Sequence, residues 1–145
     1  MQPLDNSTLS TFRECPRKAY FRYVKHWRTA GLEPIYFSFG SAWHSGLDAL
    51  YKTFYEARSA MGHTSSEWNR VRQSSEFANA MADTAFDAFA HTWTEAGWPI
   101  DPTPEEAIDF KARHPTKAKE MFFYYYKELA EHMNRWKLVA TERPF

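Results

Sequence analysis

Cysteine is almost absent from this chain of 145 residues, because Cys15 is its only one. A single cysteine excludes an internal disulfide, and it excludes a metal or iron–sulfur site ligated only by cysteines of this chain. A lone thiol is typical of proteins in a reducing compartment, so we expect a cytoplasmic protein.

Net charge and long apolar runs are lacking as well. The 18 Lys and Arg residues balance the 18 Asp and Glu residues, so the overall charge favours neither nucleic acid nor membrane. No apolar run is long enough to span a bilayer. The N-terminal stretch "MQPLDNSTLS" has neither the basic nor the apolar segment of a signal peptide. We therefore expect no membrane partner.

Aromatic side chains are abundant, at 18% of residues, and the spacing of apolar residues is mostly helical. A first helix is expected in "TLSTFRE", with Ser7 or Ser10 as its cap. Further helices are expected over residues 16–27, 40–61, 66–96 and 115–135. The final "WKLVATERPF" is typical of the start of a β-strand. We treat residues 1–145 as a single, mainly α region.

Three apolar stripes at helical spacing identify the expected core. The first, in the helix over residues 16–27, is expected to be buried rather than to be a surface on which bases stack. The stripes are Tyr20, Tyr23, Val24 and Trp27; Trp43, Leu47, Leu50 and Phe54; and Phe77, Met81, Ala85, Phe89 and Trp93.

Positive charge is concentrated near the N-terminus. Between Arg13 and Arg28 there are six Lys or Arg residues and one acid, Glu14. Two interpretations stay open for the subset that contains Arg17, Lys18, Arg22 and Lys25. These side chains could follow a DNA backbone, where they would displace counterions. They could equally form a solvated face that keeps an aromatic helix soluble.

A catalytic grouping is hard to find, because the chain has no phosphate-binding Gly-rich loop, no HExxH and no nucleophile elbow. One candidate is "PIDPTPEEAIDFK", which supplies Asp101, Asp109 and Lys111 and could hold a metal and activate water. However, prolines interrupt this segment, and acids are common where a helix begins. We expect no catalytic residue within this chain.

The N-terminal third carries a more specific pattern. "LSTFRECPRKAYFRYVKHW" followed by "FGSAWHSGLDALY" has a Ser-rich start, a Cys-Pro-Arg turn, an aromatic and basic helix, and a Gly-x-x-x-His helix. This combination resembles the N-terminal region of the RecB-like branch of the PD-(D/E)XK nucleases, which includes the CRISPR-adaptation exonucleases. The matching residues are Ser10, Cys15, Pro16, Arg17, Tyr20, Tyr23, Gly40 and His44.

The resemblance implies the helical N-terminal portion of an α/β nuclease, with "VATERPF" leading into the strand before the metal-binding acids. The complete enzyme would hydrolyse DNA phosphodiester bonds with Mg²⁺ or Mn²⁺, and His44 would help to coordinate the metal. Cys15 matches the first iron–sulfur ligand of some relatives, but its partners are not in this sequence, so we expect no cluster.

The Gly-x-x-Asp and Glu-x-Lys segments of these nucleases are also not in this sequence. We therefore expect the 145-residue chain to be inactive alone. The resemblance implies that the complete nuclease acts in DNA repair or recombination. DNA is the expected partner, and a C-terminal nuclease portion or a helicase-type protein would complete the enzyme. The alternative is a non-catalytic helical module that binds DNA or protein. Asp48, one turn after His44, would either orient the imidazole or pair with Lys52.

Overall fold

The computed structural model describes residues 6–25, 34–110 and 113–137, and these residues contain helices and turns but no strand. The expectation of a mainly α chain is therefore confirmed. The segment expected to start a strand is residues 136–145. Trp136 and Lys137 are not in a strand, and residues 138–145 lie outside the described residues. By its contacts the chain divides into two units, Met1–Leu32 and Glu33–Phe145.

The first unit consists of two short helices and a wider turn. Helix α1 spans Asn6–Glu14 and α2 spans Pro16–Ala19. Cys15 has an extended backbone between them, and Pro16 opens α2 as the sequence predicts, since its fixed φ suits a first helical position. Both predicted caps are wrong, because Ser7 and Ser10 lie inside α1 rather than before it.

A π-helical turn, Tyr20–Val24, follows α2 directly. The amide of Lys25 donates to the Tyr20 carbonyl at 3.0 Å, five residues back instead of four. This wider winding changes which side chains share a face, so the stripe predicted from α-helical spacing is not buried as expected. Tyr20 is 45% exposed and Val24 is 62% exposed, while Tyr23 is half-buried. Trp27 lies outside the described residues.

The second unit is built from five helices within its described residues. They are α3 (Ile35–Met61), α4 (Ser66–Gln73), α5 (Ser75–Glu95), α6 (Pro104–Phe110) and α7 (Thr116–Arg135). Helix α3 begins earlier than predicted, because Pro34 precedes it and the Phe37 amide donates to the Pro34 carbonyl at 2.8 Å. Gly40 therefore lies inside the helix and does not start it.

The single helix predicted over residues 66–96 is wrong, since Ser74 divides it. Ser74 has extended backbone dihedrals, and its hydroxyl donates to the Val71 carbonyl and accepts from the Phe77 amide. One serine thus satisfies backbone groups at the end of α4 and the start of α5, which favours a break at this position.

The core of the second unit lies between α3, α5 and α7. The predicted stripes of α3 and α5 are confirmed: Leu50 and Phe54 are buried, as is the α5 stripe after Phe77, and the remaining members pack against them. The "FFYYY" run of α7 faces both ways, with Phe122 and Tyr126 buried and Tyr124 exposed. In the part of the chain that the structure describes, no helix is long and apolar enough to cross a membrane.

Candidate functional site

His44 lies on the exposed side of α3, whereas the neighbouring Trp43 faces the core. Successive residues of a helix are separated by about 100° around its axis. The Trp43 ring points inward and stacks on Phe122, with 4.2 Å between ring centroids and 7° between planes. His44 is therefore presented to solvent from a backbone that Trp43 fixes to the core.

Gly46, two residues further along α3, lets the three core helices approach each other closely. A Cβ atom at this position would lie 2.8 Å from the Ala85 carbonyl oxygen on α5 and would also overlap the Phe122 ring of α7. On the same segment the Thr92 hydroxyl donates to Ser45 at 2.9 Å. The helical turn that carries His44 is thus held rigidly by α5 and α7.

Asp48, one helical turn after His44, forms an ion pair with Lys52. The Lys52 ammonium donates to the Asp48 carboxylate at 2.5 Å, four residues along the helix. The Asp48 side chain is 24% exposed and the Lys52 side chain is 57% exposed. This geometry shows the ion pair with Lys52, and the role of Asp48 in orienting the His44 imidazole stays a prediction.

A complete metal site is not formed by the described residues. Across residues 6–25, 34–110 and 113–137, no group of three or more His, Cys, Asp or Glu side chains could hold a metal ion. Cys15 is free and exposed in the first unit, at the position before α2. Among the described residues, His44 is therefore not part of a group of three or more possible metal ligands.

The alternative acidic site is only partly described. Asp101 is exposed, and the Asp109 side chain and Lys111 lie outside the described residues. The nearby acids act as helix-starting residues: the Glu106 carboxylate accepts from the Thr103 amide at 2.8 Å, ahead of α6. This is the capping box arrangement, which supports the structural interpretation of this segment.

The four predicted DNA-contacting cations are all exposed in the first unit. Lys18 forms an exposed ion pair with Glu14 at 3.5 Å. The other three lie over aromatic rings, and the distances to the ring centroids are 5.8 Å for Arg17 and Phe21, 5.5 Å for Arg22 and Tyr23, and 5.7 Å for Lys25 and Tyr20.

Sequence reasoning missed these cation–aromatic pairs, because it assigned the rings to the core and the charges to another face. A signal was present in "RKAYFRYVK", where each aromatic residue lies near a cation in the sequence. The pairs put charge and ring on the same surface, which separates them from a simple solvated basic face.

A depression of about 590 Å³ lies elsewhere in the second unit. It is lined by Lys52, Tyr55, Glu56, Arg58, Ser59 and Lys137. Within it, Arg58 donates to the carbonyls of Met133, Asn134 and Trp136 at the end of α7. Arg58 of α3 therefore caps the C-terminal end of α7. His44 does not line this depression.

Comparison with protein-family models gives a match over nearly the whole chain. The family model described as the PD-(D/E)XK nuclease superfamily matches residues 5–145. No match was found among curated proteins or among solved structures. The matched range includes the Cys-Pro-Arg turn and the helix that carries His44.

Proposed function

This chain belongs to the PD-(D/E)XK nuclease superfamily, and from that premise we propose that it is the N-terminal, DNA-contacting portion of a RecB-like DNA nuclease. The observation that carries the proposal is the family match, which covers nearly the whole chain. The exposed histidine one helical turn after Gly40 and the exposed cations after Pro16 agree with it.

His44 is proposed to contribute one imidazole to a Mg²⁺ or Mn²⁺ site. The described residues do not form such a site by themselves, since these ions prefer several oxygen ligands. In the complete enzyme the metal would supply an activated water for phosphodiester hydrolysis. The part played by this chain is to hold the His44 imidazole on a rigid helix.

The exposed cations of the first unit are proposed to contact DNA phosphates. Arg17, Arg22 and Lys25 lie within nine residues, so several phosphates of one strand are within reach of the segment. Each phosphate that a cation neutralises releases counterions, which makes binding weaken as salt increases. The proposed role is backbone contact without sequence selectivity.

Charge removal tests this role. The triple variant Arg17→Gln, Arg22→Gln and Lys25→Gln should reduce the slope of log affinity against log salt by about 2 to 3. Fluorescence anisotropy with a labelled DNA measures the slope. The matched control is Arg70→Gln, Arg113→Gln and Lys127→Gln, which removes three exposed charges from the second unit. Equal slopes for the wild-type chain and both variants would contradict DNA contact by the first unit.

A second candidate is a non-catalytic module that binds DNA, and the cation–aromatic pairs of the first unit favour it. The coding DNA beyond the codon for Phe145 separates the two candidates. A nuclease requires in-frame Gly-x-x-Asp and Glu-x-Lys segments there, by the resemblance to RecB-like enzymes. A stop codon, or a reading frame without such segments, would favour the binding module.

A further inference from the structure

Three aromatic rings, each with a cation over it, lie within residues 17–25 of the first unit. Energetically significant pairs of this kind occur about once per 70 to 80 residues in proteins. Three such contacts, at 5.5 to 5.8 Å between cation and ring centroid, lie within these nine residues, so cations and rings share one short surface segment.

The three rings differ in how far they are available to a ligand. The Tyr23 hydroxyl lies 3.4 Å from the Thr11 hydroxyl, which ties this half-buried ring to α1. Phe21 is half-buried as well. Tyr20 is 45% exposed, with the Lys25 ammonium 5.7 Å from its ring centroid. Tyr20 is the ring most open to an incoming planar group.

The π-helical turn explains how this arrangement arises. Because the Lys25 amide bonds to the Tyr20 carbonyl, the chain returns over Tyr20 after five residues, and Lys25 meets the ring. Such turns are rare and are frequently found at functional sites. A continued α-helix would have placed Val24, an apolar residue, in the turn above Tyr20 instead.

We propose that Tyr20 and Lys25 form a stacking subsite for an unpaired nucleotide, with the base on the Tyr20 ring and its phosphate at Lys25. The inference rests on the proposed function and narrows it to single-stranded nucleic acid. Bases stack on aromatic side chains without regard to sequence, and neighbouring cations follow the backbone. A duplex keeps its bases paired, so it gains nothing from the ring. The match to a nuclease family favours nucleic acid over a membrane as the ligand of this surface.

The test compares a labelled oligothymidine with a labelled blunt hairpin duplex, using the full chain at one salt concentration. Tyr20→Leu should weaken binding of the oligothymidine by about fivefold or more, since a stacked base contributes roughly 1 to 3 kcal/mol. Binding of the hairpin should change by less than about twofold, because phosphate contacts dominate there. Tyr20→Trp should retain or tighten binding of the oligothymidine.

The matched control is Tyr124→Leu, which removes another exposed tyrosine, from α7, and should change neither affinity. Circular dichroism establishes that each variant keeps its helices. An oligonucleotide containing 2-aminopurine adds a direct readout, because stacking on Tyr20 quenches its fluorescence and Tyr20→Leu should restore it.

The outcomes separate this inference from the proposed function. Salt-dependent binding that is the same for the wild type and Tyr20→Leu overturns the stacking subsite and leaves phosphate contact intact. Equal losses for the oligothymidine and the hairpin also overturn it, since the ring would then be structural. Failure to bind either DNA overturns both. Binding to anionic vesicles of phosphatidylglycerol and phosphatidylcholine, with no DNA binding, would assign the surface to a membrane instead.

Discussion

Trp43 and His44 are adjacent, but one is fixed in the core and the other faces solvent. The helical stripe through Trp43, Leu47 and Leu50 predicts this division from the sequence, because residues three and four apart share a face. The pairing of Asp48 with Lys52 was one of two interpretations left open, since sequence spacing permits both. The structure shows the ion pair, and the orientation of the His44 imidazole by Asp48 stays a prediction.

Gly46 gives the sharpest prediction at the level of single residues. Gly46→Ala should lower the free energy of unfolding by about 1 to 3 kcal/mol, because the new methyl group meets backbone on α5 and the buried Phe122 ring. Thermal or urea unfolding followed by circular dichroism measures the change.

Gly40 supplies the matched control on the same helix. A Cβ atom there meets nothing within 4 Å, so Gly40→Ala should raise stability by about 0.5 to 1 kcal/mol through helix propensity. If both variants gained stability, the close approach of α3, α5 and α7 at Gly46 would be wrong.

Tyr126 predicts a loss of stability at alkaline pH. Burial raises the pKa of its phenol above the ordinary value, and its hydroxyl donates to the Arg72 carbonyl at 2.7 Å. A group whose folded pKa is raised contributes stability that is fully present below the unfolded pKa, about 10. That stability is lost as pH rises above this value and through the folded pKa.

Unfolding of the wild type and of Tyr126→Phe between pH about 9 and about 11.5 checks this expectation. The variant should be less stable at neutral pH by about 0.5 to 1.5 kcal/mol, for the lost hydrogen bond, and should lose less stability as pH rises. Tyr124→Phe, at an exposed position, should behave as the wild type does. Parallel pH profiles for all three proteins would contradict the prediction.

The helix over residues 66–96 and the helix over residues 16–27 were predicted wrongly, because local hydrogen bonds of one residue decide the geometry of each. The break at Ser74 depends on one hydroxyl that serves two helix ends, and serine is also common inside helices. The π-helical turn depends on a carbonyl that accepts from the fifth residue rather than the fourth. Apolar periodicity averages over a whole helix, so it does not resolve either event.

The C-terminal end of helix α7 is stabilised by Arg58 of α3. Its guanidinium donates to three carbonyls, at 3.3 Å for Met133, 3.0 Å for Asn134 and 2.8 Å for Trp136, and Tyr55 donates to Met133 as well. Arg58→Met keeps the apolar stem but removes these bonds. We expect a loss of about 1.5 to 3 kcal/mol, because hydrogen bonds to a charged group are stronger than neutral ones.

Hydrogen exchange at the last turn of α7 should accelerate in Arg58→Met, and equilibrium unfolding should report the loss of stability. Arg135→Met is the control, since the Arg135 side chain is 70% exposed and forms a 3.4 Å ion pair with Glu131. That change should stay within about 0.5 kcal/mol, as for other surface ion pairs. Equal exchange in the two variants would argue against capping by Arg58.

For the whole molecule, the helical class and the α3 and α5 stripes could be predicted from the sequence, because burial imposes a strong period of 3.6 residues. Family membership could also be anticipated, since the Cys-Pro-Arg turn and the Gly-x-x-x-His helix occur in one order. The exposure of Tyr20 could not be predicted from the sequence, because it follows from the π-helical turn and not from composition.

The last prediction concerns activity of the 145-residue chain. Mg²⁺ and Mn²⁺ sites are built mainly from oxygen ligands such as carboxylates, whereas the family pattern assigns only the His44 imidazole to the described residues, and these residues contain no group of three or more possible metal ligands. We therefore expect no cleavage of single-stranded or duplex DNA with Mg²⁺ or Mn²⁺, even where the chain binds DNA. Gel assays with end-labelled DNA measure this directly, with Asp101→Ala and His44→Ala as companion variants. Metal-dependent cleavage abolished by Asp101→Ala would place the active site in the proline-rich segment before α6 and overturn the expectation. Cleavage unaffected by either variant would point to a contaminating nuclease, because neither candidate ligand would then take part.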